Sequence, residues 1–103
     1  MSPRTQTVRR ITAFSVPETE LEPQYRVIIH NDDVTPMDFV VNILKGIFLV
    51  DGSRAVDIMY QAHFSGAAYV QTLAKSEAQS RIGKAHFAAG LESYPLYFTM
   101  EPE

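Results

Sequence analysis

Residues 25–48, YRVIIHNDDVTPMDFVVNILKGIF, change their hydrophobic period part-way along. The first six read as a strand, with Val27 and Ile29 on one face and Ile28 on the other. Beyond Thr35 the period is helical: Phe39, Val40, Ile43, Leu44, Ile47 and Phe48 form a wide apolar face. Between them lies an acidic knot, Asn31-Asp32-Asp33. Adjacent carboxylates repel, so the knot needs a cation or the positive end of a helix beside it. The sequence offers a helix start: Thr35 as N-cap candidate, Pro36 suited to the first turn, and Asp38 adding acid near the dipole's positive end.

Asp51-Gly52-Ser53 breaks the chain and caps a second helix, in which Ala55, Ile58, Met59, Ala62 and His63 follow the 3.6-residue period until Gly66. AAYVQTLA, residues 67–74, is a second strand, with Tyr69, Gln71 and Leu73 alternating against Val70 and Thr72. A third helix is expected from about Lys75 to about Leu91, with Ser76 and Gln79 at capping-box spacing and Ala78, Ile82, Ala85 and Ala89 inward. Pro95 prevents its continuation, and LYFTME closes the chain as a third strand. The expected fold is α+β: a two-layer sandwich of a three-stranded antiparallel sheet and three helices in the order β-α-α-β-α-β.

A chain of 103 residues makes one domain with one core. Residues 1–24 hold Arg4, Arg9, Arg10, Glu18, Glu20, Glu22 and three prolines without periodicity, which reads as a flexible N-terminal extension before a core domain at 25–103. A net charge of -3 with no basic stripe argues against nucleic acid or an anionic membrane as the main partner. The absence of cysteine removes thiol catalysis and thiolate metal sites. No apolar run approaches the roughly 20 residues of a membrane span, and no signal-peptide core is visible. A cytoplasmic protein is expected. Residues 1–17 share the Arg-rich, acid-free composition of an organellar transit peptide, so an organellar setting stands second.

The knot has two readings. In one, Asn and Asp bond their own backbone and cap a helix, and the apolar face of the first helix docks a partner helix. In the other, Asn31, Asp33 and His63 converge at the mouth of an apolar pocket. His63 lies one turn after Met59 and is expected to face the core side. An amide carbonyl, a carboxylate and a neutral imidazole are three acceptors, matched to the three donors of an α-ammonium group. His30 would join them only if its strand position faced the same way. A metal is not expected, because oxygen sites want more carboxylates and zinc sites more His or Cys. A hydrolase using Asp32 or Asp33 as base and His63 as acid lacks a nucleophile elbow, a phosphate loop and a two-His helix motif. No catalytic residue and no cofactor is assigned.

NDDVTPMDFVVNIL, followed by MYQAHFSG and YPLYFTME, resembles the ClpS family of bacterial and plastid adaptors, over residues 25–101. The resemblance implies binding of proteins with a destabilising N-terminal Leu, Phe, Tyr or Trp, and their delivery to a Clp AAA+ unfoldase and its peptidase. It implies α-amino contacts from Asn31, Asp33 and His63, with Asp32 as supporting charge. It implies a side-chain pocket of Ile29, Thr35, Met37, Val40, Met59 and Leu96, in which Met37 is a gatekeeper against β-branched side chains. Ala62 stands in that pocket where the family tends to carry a bulkier aliphatic such as Val, which implies a wider space. Arg81 keeps a basic position expected at the contact with the unfoldase N-terminal domain, and Ser76 stands there in place of an expected Glu. By the same resemblance, the N-terminal extension engages the unfoldase during hand-over.

Overall fold

The computed structural model describes residues 22–103. The elements are β1 (Gln24–His30), α1 (Met37–Gly46), α2 (Gly52–Ser65), β2 (Ala67–Ala74), α3 (Lys75–Leu91) and β3 (Tyr97–Pro102). They form one antiparallel sheet of order β2-β1-β3 with the helices packed on it, the expected α+β arrangement. β1 is central and is bonded along its length to both neighbours. It begins one residue earlier than expected, and Pro23 already accepts a bond from the Lys75 N–H at 3.0 Å. The remainder of the expected extension, residues 1–21, lies outside the described residues.

Alternation in β1 buries Val27 and Ile29 against the helices and leaves Ile28 half-covered on the outer face. In β2 the alternation is interrupted. The register passes from Val27↔Gln71 to Ile28↔Tyr69, so Val70 is the extra residue of a β-bulge. Tyr69 therefore lies opposite outward-facing Ile28, while Gln71 and Leu73 lie opposite inward-facing Val27 and Tyr25. This corrects the single alternating face expected for Tyr69, Gln71 and Leu73. A bulge adds one residue and shifts the phase, which a period-2 pattern does not reveal.

The core is built on Phe48, Leu44, Ile29, Val27 and Val70, all fully buried, with the Phe48 and Phe98 rings 4.7 Å apart. Val40, Ile43 and Leu44 bury the apolar face of α1 inside this core. That face is consequently closed to a partner helix, against the docking reading. After α1 the chain turns at Leu49 through a left-handed conformation (φ 58°), unusual for a leucine. The carbonyl just before it, on Phe48, accepts from Gln71 Nε2 at 3.0 Å and Arg81 Nη1 at 3.2 Å. Two donors from other elements thus hold the turn that aims α2 back over the sheet.

Candidate functional site

Asp32 builds the turn between β1 and α1. Its Oδ1 accepts from the Val34 N–H at 2.9 Å and the Thr35 N–H at 2.7 Å, and its Oδ2 accepts from the Thr35 hydroxyl at 2.9 Å. Such side-chain to backbone bonds are what short acidic residues supply in turns. Thr35 is thereby drawn back toward Asp32 and does not cap α1, contrary to expectation. Pro36 holds the cap position in an extended conformation with no side-chain bond. Proline has no N–H to leave unsatisfied and its fixed φ starts the helix.

The knot is tied to the end of α2. The Asn31 N–H donates to the Gly66 carbonyl at 3.0 Å, and the Gly66 N–H closes α2 on Ala62 O at 2.8 Å. Gly66 has φ 92°, a left-handed conformation that glycine adopts without strain, as expected for the residue that ends this helix. The start of α2 is also as expected, with Asp51 Oδ1 accepting from the Arg54 N–H at 2.9 Å. That bond comes first among the causes that hold the Asp51 carboxyl below its ordinary range.

A cavity of about 170 Å³ opens between the knot and α2. Asn31, Asp32, Asp33 and His63 border it, and Ile29, Thr35, Met37, Val40, Met59, Ala62 and Leu96 line it with them. Five parts of the chain contribute: β1, the knot, α1, α2 and the residue before β3. A cavity of about 150 Å³ holds benzene, so this one suits a single apolar side chain. Ala62 is buried in its lining, and its short side chain leaves room that a larger aliphatic would occupy.

His63 is exposed and does not face the core as expected. The buried stripe of α2 is Ala55, Ile58, Met59 and Ala62, and at 3.6 residues per turn His63 falls about 90° from its centre. The imidazole sits at the stripe's edge, where core gives way to water. Among the described residues, the side chains of Asn31, Asp33 and His63 make no hydrogen bond to one another or to the fold. Their acceptors are available to an incoming donor. His30 also borders the cavity. Its parity with Ile28 nevertheless sets its side chain on the outer face, where its ring stacks on Tyr97 at 4.6 Å and its Nε2 lies 2.7 Å from Thr99 Oγ1. Among the described residues no group of three His, Cys, Asp or Glu is placed to hold a metal ion.

Residues 20–99 match the family model described as ATP-dependent Clp protease adaptor protein ClpS. The chain belongs to the ClpS family. It is 42% identical over 87 residues to the ATP-dependent Clp protease adapter protein ClpS 2 of Mesorhizobium japonicum, covering 84% of this chain and 86% of that one. It is 40% identical over 79 residues to ClpS 1 of Rhodopseudomonas palustris, covering 77% of each. Among solved structures it is similar to Agrobacterium tumefaciens ClpS2 bound to L-phenylalaninamide, with a TM-score of 0.75 and 33% identity over 79% of this chain and 98% of that one. The β-α-α-β-α-β order is thus the ClpS fold.

The two other ClpS residues singled out in the sequence, Ser76 and Arg81, lie on α3 away from the cavity. The expected capping box of Ser76 and Gln79 does not form. The helix begins at Lys75, as expected, with Ala74 in the cap position, and the Ser76 N–H and hydroxyl both donate to the Glu22 carboxylate, at 2.8 and 2.7 Å. Those bonds, the hydroxyl's first, hold the Glu22 carboxyl below its ordinary range. A carboxylate from the segment before β1 therefore sits beside position 76. Arg81 is largely enclosed: its Nε donates to Glu77 Oε2 at 2.8 Å, and its Nη1 reaches Phe48 O and Gln71 Oε1, each at 3.2 Å. Its first role is internal, joining α3 to β2 and the turn after α1.

Proposed function

We propose that this ClpS-family chain is an adaptor that binds the free N-terminus of proteins beginning with Leu, Phe, Tyr or Trp and delivers them to a Clp AAA+ unfoldase. It performs no chemistry on them. The observation that carries this reading is the pairing of a cavity of about 170 Å³, walled in part by apolar side chains, with three acceptors at its mouth that no described residue engages. Asn31, Asp33 and His63 take the α-ammonium group, Asp32 holds the loop that presents them, and the apolar walls take the first side chain. Met37, 43% exposed at the mouth, gates entry. The phenylalaninamide held by the Agrobacterium relative has the chemistry of such an N-terminus: an ammonium, an aromatic side chain and an amide in place of a carboxylate.

Delivery uses the unfoldase N-terminal domain, which docks on the α3 surface carrying Ser76 with its Glu22 partner and the Glu77–Arg81 pair. The setting is the bacterial cytoplasm, in keeping with the bacterial relatives. Among the described residues no helix is long and apolar enough to cross a membrane.

The test is fluorescence anisotropy with one short peptide beginning with Leu, in free and N-acetylated forms. One buried side chain and a few charge-assisted bonds support an affinity near micromolar, about -8 kcal/mol. Micromolar binding of the free form alone is expected. Equal binding of both forms, or none, would return the knot to a purely structural turn.

A further inference from the structure

Beside His63, which borders the cavity, Phe64 is 78% exposed, unusually open for a large aromatic residue. Its ring stands edge-on to the His63 ring, with centroids 5.0 Å apart and planes at 71°. Behind it Tyr60 lies nearly parallel to Phe64, at 6.1 Å and 12°. The three side chains make a continuous aromatic ledge running out from the imidazole at the mouth. Packing does not account for it. Tyr60 and Phe64 are outside the core cluster, and the buried stripe of α2 runs through Ala55, Ile58, Met59 and Ala62.

We propose that Tyr60 and Phe64 form a second subsite, which takes the side chain of the second residue of a bound N-terminal peptide and favours an aromatic one. This rests on the reading of the cavity given above. With the ammonium held by Asn31, Asp33 and His63 and the first side chain in the cavity, the peptide leaves over the mouth. Successive Cα atoms are about 3.8 Å apart, so the second side chain starts within one residue's reach of the imidazole. The ledge begins 5.0 Å from that ring. Aromatic rings associate edge-on or offset at roughly 4.5–7 Å, the spacing already present between these three rings. A ring added by the ligand extends the same arrangement and covers surface that the fold leaves open.

The experiment compares two labelled peptides, identical except for Leu-Phe or Leu-Gly at the N-terminus, on the wild-type chain and on Phe64→Ala, with circular dichroism confirming the fold. The wild type is expected to bind Leu-Phe about three- to tenfold more tightly. Phe64→Ala is expected to erase that difference while leaving Leu-Gly nearly unchanged. Equal affinities in the wild type, or a preference that survives the substitution, would overturn the subsite. So would a parallel loss of both peptides, which would make Phe64 a support for His63. Failure of the wild type to bind Leu-Gly, or equal binding of its acetylated form, would instead defeat the reading of the cavity and this inference with it.

Discussion

Within the acidic knot, neighbouring residues of similar chemistry divide the work. Asp32 spends both oxygens on its own loop, whereas Asp33 beside it makes no bond within the described fold. The family resemblance gave Asp33 an α-amino contact and Asp32 a supporting charge, but the sequence did not show that Asp32 is the carboxylate around which the turn curls. Of the acceptors, His63 is the cleanest to remove, being exposed and outside the core. His63→Ala should weaken binding of a free N-terminal Leu peptide by about tenfold or more, the worth of one charge-assisted bond of roughly 1.5–3 kcal/mol, without changing the unfolding midpoint. An unchanged anisotropy titration in the folded variant would take His63 out of the site. Met37 poses a different question, because it borders the opening and bears on shape more than charge. Met37→Ala should admit peptides beginning with Ile or Val, which a competition assay against the Leu peptide measures. A preserved exclusion would mean that the gate lies elsewhere.

Among elements, those with long regular periods were legible from sequence, as were both ends of α2, while the joints set by distant partners were not. α3 spans Lys75–Leu91 with the inner face expected from Ala78, Ile82, Ala85 and Ala89, since four small apolar residues at helical spacing have one way to be buried. Its first turn was misread, because its acceptor is Glu22, 54 residues away in sequence. The bulge at Val70 was invisible for a related reason: it is a property of pairing with β1 and not of β2 alone. The Glu22 carboxylate has consequences at this scale. Its folded-state pKa is depressed, so the stability it adds is present above the ordinary carboxylate range and is lost as pH falls through the folded value. The protection of the Ser76 amide, its exchange rate measured against the intrinsic rate at each pH, should therefore fall as the solution is acidified below that range, and Glu22→Gln should flatten the response. An amide equally protected at all these pH values would show that the bond adds nothing to the helix start.

For the whole molecule, one core supports both the sheet and the cavity wall. Phe48 is fully buried, faces Phe98, and belongs to the turn whose carbonyl Gln71 and Arg81 hold. Phe48→Ala should cost about 3–5 kcal/mol, a large share of the roughly 5–15 kcal/mol that stabilises an ordinary domain. Urea unfolding measures it, and a loss below about 1 kcal/mol would mean that the site refills. The central place of β1 has a mechanical consequence as well. The chain enters the described fold at Glu22, at the start of this strand, while the cavity lies at its other end, roughly 20 Å away at about 3.3 Å per residue. Tension on the N-terminal end, directed along the strand, would load both hydrogen-bond ladders in shear, many bonds at once, instead of peeling them singly. A motor hauling on that end would meet the fold along its most resistant axis, with the cargo grip at the far pole.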